Sequence, residues 1–409
     1  MQSEDLQPPN GLGIVPTIFA APWVLPIAQP PIRNGWVEVD AGRITAVGSG
    51  PAPGASTEID GVILPGLVNA HTHLELSWMR GQVPPAPTMP EWVESLMALR
   101  RTVGHEPAEP IRNAVREARA AGTTLVGDIT NTLAAYEALV ESEMSAVIFR
   151  ELLGFSVPDA EAVVADARAQ IDSLPASPRL RASVVPHAPY SVSPALLAAI
   201  AAAAGDRPIS IHLGESAEEV EFLESGTGAW RALLGRLGVW SDAWHPTARG
   251  PVDYIAEWNL VNERLLAVHC VQLTDAELAK LAEAGATVVT CPRSNRWTGA
   301  GLPPIERFYA SGVRVAVGTD SLSSVEDLNV FSELRLMRDL APHVPAGEIL
   351  ASATRHGAEA LGFGAEVGTV EPGKRAELIA VRIPPGTVDV EEYLLTGVEP
   401  SQITWIPGS

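Results

Sequence analysis

His71 and His73 stand two residues apart in Asn69-Ala-His-Thr-His73, directly after the apolar run Val62–Val68. On an extended strand residues i and i+2 point to the same face, so both imidazoles share one side. Borderline metals take imidazole nitrogen readily, which makes the pair a candidate two-ligand site. Alone, the pattern also fits two hydrogen-bonded histidines at a strand exit. Three other residues shift the weight. His212 ends Ile209-Ser-Ile-His, His269 ends Leu265-Leu-Ala-Val-His, and Asp320 ends Val313-Arg-Val-Ala-Val-Gly-Thr-Asp. Burying five such groups unpaired would cost several kcal/mol, so their convergence on one metal is the reading. Glu215 follows His212 by three residues, where a turn would swing its carboxylate over an open coordination position. A hydrolytic metal site needs such a base, to take a proton from water and hand it to the leaving group. The alternative for Glu215 is a solvated acid at a helix start, among Glu218, Glu219 and Glu221. His269 is either a further ligand or a donor that aligns the water; the second reading is preferred.

Other residues at strand exits are candidates for substrate contact. His187 follows the fourth run in Val185-Pro-His-Ala-Pro-Tyr190, and Arg150 ends the third in Val147-Ile-Phe-Arg. A guanidinium facing the mouth there would clamp an anionic or polar group, the alternative being an ion pair with Glu151 or Asp128. Arg293 and Arg296 follow the seventh run, where an anion site and a plain surface role weigh equally. His105, His245, His343 and His356 lack ligand spacing and are assigned no role. Trp78 and Trp297 follow strand ends, where either could stack on an aromatic ligand; the other tryptophans read as packing.

The elements that must position these groups are legible as alternation. Apolar β-type runs occur at Val62–Val68, Thr123–Val126, Ala146–Phe149, Ala182–Val185, Ile209–Ile211, Leu265–Val268, Ala286–Val289 and Val313–Val317. Helical patterns lie between them, such as Ile111–Ala121, Pro158–Ser173, Ser193–Ala204 and Thr274–Ala284. Eight strand–helix alternations predict an α/β fold, a parallel (β/α)8 TIM barrel, whose active sites sit at the C-terminal strand ends. A doubly wound open sheet is the competitor, but no G-x-G-x-x-G or phosphate loop joins a strand to a helix. Short strands fill both termini, with a hairpin signal over Gly35–Gly48 and a similar texture over Gly368–Val381. Neither end has the apolar surface for its own core, so the two are expected to pair into one small β-sandwich. The expected division is residues 1–64 and 365–409 for that unit and 65–364 for the barrel.

Composition excludes several function classes. The 409 residues are 46% hydrophobic, and 28 cations against 49 acids leave a net charge of −21. No basic field exists to draw nucleic acid or anionic lipid. Cys270 and Cys291 lack paired spacing and read as buried thiols of a reduced compartment. The opening Met-Gln-Ser-Glu-Asp is acidic, and prolines interrupt the apolar stretch from Gly11 to Ala28, which therefore reads as neither signal peptide nor membrane span. A cytoplasmic protein with a small-molecule substrate is expected, without nucleic-acid or membrane partners; a homo-oligomer stays open.

At this point the chain resembles the amidohydrolase superfamily. The resemblance rests on Pro65-Gly-Leu-Val-Asn-Ala-His-Thr-His73, His212 with Glu215, His269-Cys270, Ser294-Asn295, Gly318-Thr-Asp320 and Gly368-Thr-Val-Glu-Pro-Gly-Lys-Arg-Ala-Glu-Leu378, in the family's order. Within it the chain looks like the aminohydrolases and chlorohydrolases of purine, pyrimidine and triazine rings. The resemblance implies that His71, His73, His212 and Asp320 hold one divalent metal, zinc, with ferrous iron the alternative. It implies that Glu215 shuttles the proton, His269 orients the water, and His187 and Arg150 contact a nucleoside. Binuclear relatives bridge two metals with a carboxylated lysine, but no lysine precedes Lys280. A mononuclear site follows, with Glu151 the alternative bridge.

His71-Thr-His-Leu-Glu-Leu-Ser77, then Trp78-Met-Arg-Gly81 and a Pro-rich loop, is similar to deaminases of 6-amino-6-deoxyfutalosine in menaquinone biosynthesis. That resemblance implies a hydrolytic deaminase of a 6-aminopurine nucleoside, with Arg150, Arg293 or Arg296 available to a benzoate carboxylate. Alternatives are a deaminase of S-adenosylhomocysteine, adenosine or another amino-heterocycle, or a chlorohydrolase or cyclic amidohydrolase. Glu377, where many relatives carry Asp, and a lengthened Val239–Val252 segment depart from the pattern.

Overall fold

Two short alternating runs around Asp40-Ala-Gly form a hairpin within the chain's first sheet. The computed structural model describes residues 16–103 and 106–408, so the acidic N-terminus and His105 lie outside the described residues. The first five strands are β1 (Thr17–Val24), β2 (Ile32–Asp40), β3 (Arg43–Ser49), β4 (Ser56–Glu58) and β5 (Val62–Pro65). Ala41 and Gly42 turn β2 into β3 with φ of 47° and 75°, the left-handed pair a tight hairpin demands.

The barrel strands follow: β6 (Leu67–Thr72), β7 (Thr123–Thr130), β8 (Ser145–Leu152), β9 (Leu180–Pro186), β10 (Ile209–Leu213), β11 (Leu265–His269), β12 (Thr287–Thr290) and β13 (Arg314–Val317). The chain ends with β14 (Leu378–Val381) and β15 (Ile403–Trp405). Both termini build one seven-stranded sheet in the order β15-β14-β5-β1-β2-β3, with β4 on β1. The α/β class and the two-ended small unit are thus as expected from the sequence.

The single apolar run Val62–Val68 splits at Gly66. Upstream, β5 pairs antiparallel with β14; downstream, β6 starts the barrel beside β7. The Gly66 N–H donates to the Glu377 carbonyl at 2.7 Å. A Cβ at residue 66 would lie 2.8 Å from that of Thr124, so a side chain would not pass. The boundary expected after residue 64 therefore falls inside β5. Glu377 also ties the sheet to the barrel, 2.6 Å from Arg179 and 3.4 Å from Arg119.

The barrel consists of two four-stranded parallel halves, β6–β9 and β10–β13. Strands β7, β10, β11 and β12 are wholly buried, as parallel strands covered on both faces must be. Two seams close it. At one, Thr72 pairs with Asp320 and the Asp320 N–H donates to the His71 carbonyl at 3.0 Å. At the other, the His212 N–H donates to the His187 carbonyl at 2.9 Å. On β8, Val147 and Phe149 pack into the main core, whereas Ala146 and Ile148 pack outward with Ile111, Val115 and Leu139 of the flanking helices. Among the described residues no helix is long and apolar enough to cross a membrane.

Candidate active site

The strand order carries the five sequence-predicted groups to one end. His71 lies in β6 with His73 just past it, His212 is the penultimate residue of β10, His269 closes β11, and Asp320 follows β13. The ligand atoms of His71, His73 and His212 lie within 4.8 Å of one another. Asp320 Oδ1 is 3.7 Å from His71 Nε2 and 3.4 Å from His73 Nε2. His71 is fully buried, and neither of its ring nitrogens has a hydrogen-bond partner among the described residues. Leaving a buried imidazole so is costly unless a further group satisfies it. Burial, then the surrounding imidazoles, holds His71 well below the usual histidine range, and His212 likewise, which keeps their lone pairs free. Three imidazoles and a carboxylate are a donor set that fits zinc. His269, Cys270 and Asp320 hold left-handed backbone, with φ of 73°, 54° and 61°. Such conformations cost about 1–3 kcal/mol each in non-glycine residues and cluster at functional sites.

A second group of side chains lies against this donor set. Glu215 Oε1 is 3.5 Å from His269 Nε2. Asn295 Nδ2 donates to His269 Nδ1 at 2.9 Å and lies 3.4 Å from the same Glu215 oxygen. With Nδ1 accepting, the ring proton sits on Nε2, towards Glu215. Ser294 Oγ donates to Asp320 Oδ2 at 2.5 Å, which leaves Oδ1 facing the histidines. Burial first, then the charges of Asp320 and Glu219, pushes the Glu215 carboxyl well above the usual range. A buried acid with a raised pKa beside a metal donor set is a candidate for proton transfer.

His73, His212, Glu215, His269 and Asp320 line a cavity of about 380 Å³. His187 lines it as well, its Nδ1 2.6 Å from Ser191 Oγ and its ring 4.8 Å from that of His212. Higher up, Leu76 and the helix Met89–Arg100 supply an apolar wall of Met89, Trp92, Val93 and Leu96. Two cations, Arg100 and Arg101, line the same cavity. A hollow of about 530 Å³ beside Val313, Arg314 and His356, at the opposite strand ends, holds none of this chemistry.

Residues 62–394 match the family model described as the Amidohydrolase family. The chain belongs to that family. The amidohydrolase is 32% identical to a 5-methylthioadenosine/S-adenosylhomocysteine deaminase of Moorella thermoacetica, over 93% of this chain and 90% of that one. Its structure is similar to that of an adenosine deaminase from Xanthomonas campestris with bound zinc: 28% identity, TM-score 0.81, 96% and 92% of the chains covered. It is also similar to Helicobacter pylori aminofutalosine deaminase in complex with methylthio-coformycin: 25% identity, TM-score 0.83, 95% and 100% covered.

Several expectations for this amidohydrolase need correction. Arg150 does not face the mouth: it shares the outward side of β8 with Ala146 and Ile148. Its Nε donates to Gln170 Oε1 at 3.1 Å and its Nη1 to the Glu151 carbonyl at 2.8 Å. Glu151, one residue on, faces the cavity instead, with Asn131 Nδ2 at 2.9 Å and His212 Nδ1 at 3.6 Å. Arg293 is consumed by Glu333 at 2.7 Å and Asp327 at 2.9 Å, and Arg296 is exposed away from the cavity. Trp78 and Trp297 bond Glu106 and the Val83 carbonyl, and the tryptophan that lines the cavity is Trp92. Sequence reasoning missed Arg100 and Arg101. Arg100 is held by Glu75 at 2.9 Å and Glu106 at 3.0 Å. Arg101 is exposed, and its side chain has no partner among the described residues. It also missed the bond from Asn295 to His269; the signal was the Ser294-Asn295 pair just past a barrel strand.

Proposed function

We propose that this amidohydrolase is a metal-dependent hydrolytic deaminase of a 6-aminopurine nucleoside, with 6-amino-6-deoxyfutalosine the favoured substrate. The observation that carries the reading is the Glu215–His269–Asn295 alignment set against three imidazoles and Asp320 at the floor of the cavity. His71, His73, His212 and Asp320 would hold one zinc ion. Bound there, zinc supplies Lewis-acid activation of water. Glu215 takes a proton from the attacking water and passes it to the ring nitrogen beside the carbon that bears the amino group. The water oxygen bonds to that carbon, and a second proton transfer lets the carbon–nitrogen bond break, releasing ammonia. His269 holds the attacking oxygen in line through Nε2–H, and His187 contacts the purine from the β9 side.

The apolar wall and the exposed Arg101 at the cavity support a substrate whose far end is an apolar group ending in an anion, as a benzoate does. S-adenosylhomocysteine, methylthioadenosine and adenosine are the second reading, favoured by the name of the Moorella relative. The test is ammonia release by the zinc-loaded protein from 6-amino-6-deoxyfutalosine, S-adenosylhomocysteine, methylthioadenosine and adenosine. Preference for the first is expected. Preference for a neutral nucleoside would move the assignment to the second reading. Silence across the panel with zinc bound would overturn deamination altogether.

A further inference from the structure

The acids after Glu215 read as a solvated helix face, yet Glu219 is fully buried. Among the described residues no cation pairs with it. Its Oε1 accepts the Gly214 N–H at 2.9 Å and its Oε2 accepts the Glu215 N–H at 3.1 Å. Gly214 takes a left-handed φ of 58°, and a Cβ there would lie 2.4 Å from Leu273 Cδ2. The carbonyls of the same turn are held from β11's exit: Cys270 N–H donates to Leu213 at 3.1 Å and Gln272 N–H to Gly214 at 2.8 Å. The turn that carries Glu215 is thus pinned on its acceptor side by the segment after His269 and on its donor side, among the described residues, by Glu219. Helix initiation does not require this acid, because Ser216 already caps Ala217–Ser225 through the Glu219 N–H. A buried carboxylate is expensive to keep where a smaller polar group would fill the space.

We propose that Glu219 is a positioning residue for proton transfer: its two oxygens fix the Gly214–Glu215 turn and so aim the Glu215 carboxylate at His269 and the metal donor set. The proposal rests on the reading of Glu215 as the proton carrier. It acts through the backbone and touches neither substrate nor metal. Misplacing a reacting group by about 1 Å costs on the order of 10²-fold in rate, so a loosened turn lowers kcat while substrate binding persists.

Glu219→Gln keeps the size but replaces one acceptor with an amide N–H donor. The zinc-loaded variant is expected to lose on the order of 10²-fold in kcat, with KM changed less than about threefold. Amide hydrogen exchange of the segment around Gly214 and Glu215 should accelerate, with zinc content unchanged. On a Glu215→Gln background the same substitution should add less than about twofold, because the group it aims is already disabled. An equal loss on both backgrounds, or unchanged exchange together with unchanged kcat, overturns the proposal. If Glu215→Gln itself keeps full turnover, the Glu215 reading fails, and the exchange measurement still decides whether Glu219 anchors the turn. Glu219→Asp, one methylene short of both N–H groups, serves if the Gln variant does not fold.

Discussion

Asn295 donates its amide to Nδ1 of His269 across 2.9 Å, and that one bond decides which nitrogen of the histidine carries the proton. The ring must then present Nε2–H towards Glu215, 3.5 Å away. Asn295→Asp would offer an acceptor instead, draw the proton to Nδ1 and leave Nε2 a lone pair. Turnover should drop by about 10²–10³-fold with zinc retained, the scale seen when an oriented donor is lost. Steady-state kinetics beside metal analysis checks this.

Glu215→Gln preserves shape but removes proton transfer, worth typically 10²–10⁴-fold. The variant should bind zinc as the parent does and lose turnover by about that factor. Unchanged ammonia release would end the assignment of Glu215.

Zinc removal should destabilise the protein, because the donor set exists only in the folded state. A ligand at about 1,000 times its dissociation constant adds roughly 4 kcal/mol, so chelation should lower Tm and added zinc restore it. His73→Ala should show a weaker response to zinc in the same thermal scan.

Arg101→Ala should raise KM about tenfold for a nucleoside ending in a carboxylate, since one charge-assisted contact is worth about 1.5–3 kcal/mol at most. Methylthioadenosine, neutral at that end, should be unaffected. Arg150→Ala should leave KM for both substrates unchanged, because its guanidinium faces Gln170. Measuring both variants with both substrates separates the two arginines.

Burial pushes Glu219 up to about 7 from the ordinary 4.5. A carboxyl raised on folding contributes stability below its unfolded pKa and loses it as pH climbs through the folded one. Wild type relative to Glu219→Gln, both zinc-free, should therefore lose stability between about pH 4.5 and 7. Urea melts across that range read the difference directly; a flat difference would contradict the raised value.

What the sequence revealed followed local geometry. His71 and His73 share a face by strand parity, and the polar residues that end apolar runs had to meet once the strands closed in parallel. Parity also explains the failure at Arg150: a strand's end is readable to within a residue, and one residue exchanges the inward face for the outward one. Glu219 was illegible for another reason. A solvated helix acid and a buried acceptor of backbone N–H groups have the same local sequence, and only the packing of the turn against β11 tells them apart. Gly66 hid a boundary inside an unbroken apolar run, because the two halves of that run belong to different sheets. Arg101 meets the cavity through tertiary placement of the helix Met89–Arg100, which no spacing encodes.

The two barrel seams have a consequence for assembly. One runs through His71 and Asp320 and the other through His187 and His212, so each half-barrel holds only part of the donor set. Strands β6–β9 bring His71 and His73; β10–β13 bring His212, and Asp320 follows them. Neither half can chelate by itself as the whole does. A chain cut between β9 and β10 would regain tight metal binding only when its fragments reassociate, and the ion would then act as a staple across the very joints where the halves meet.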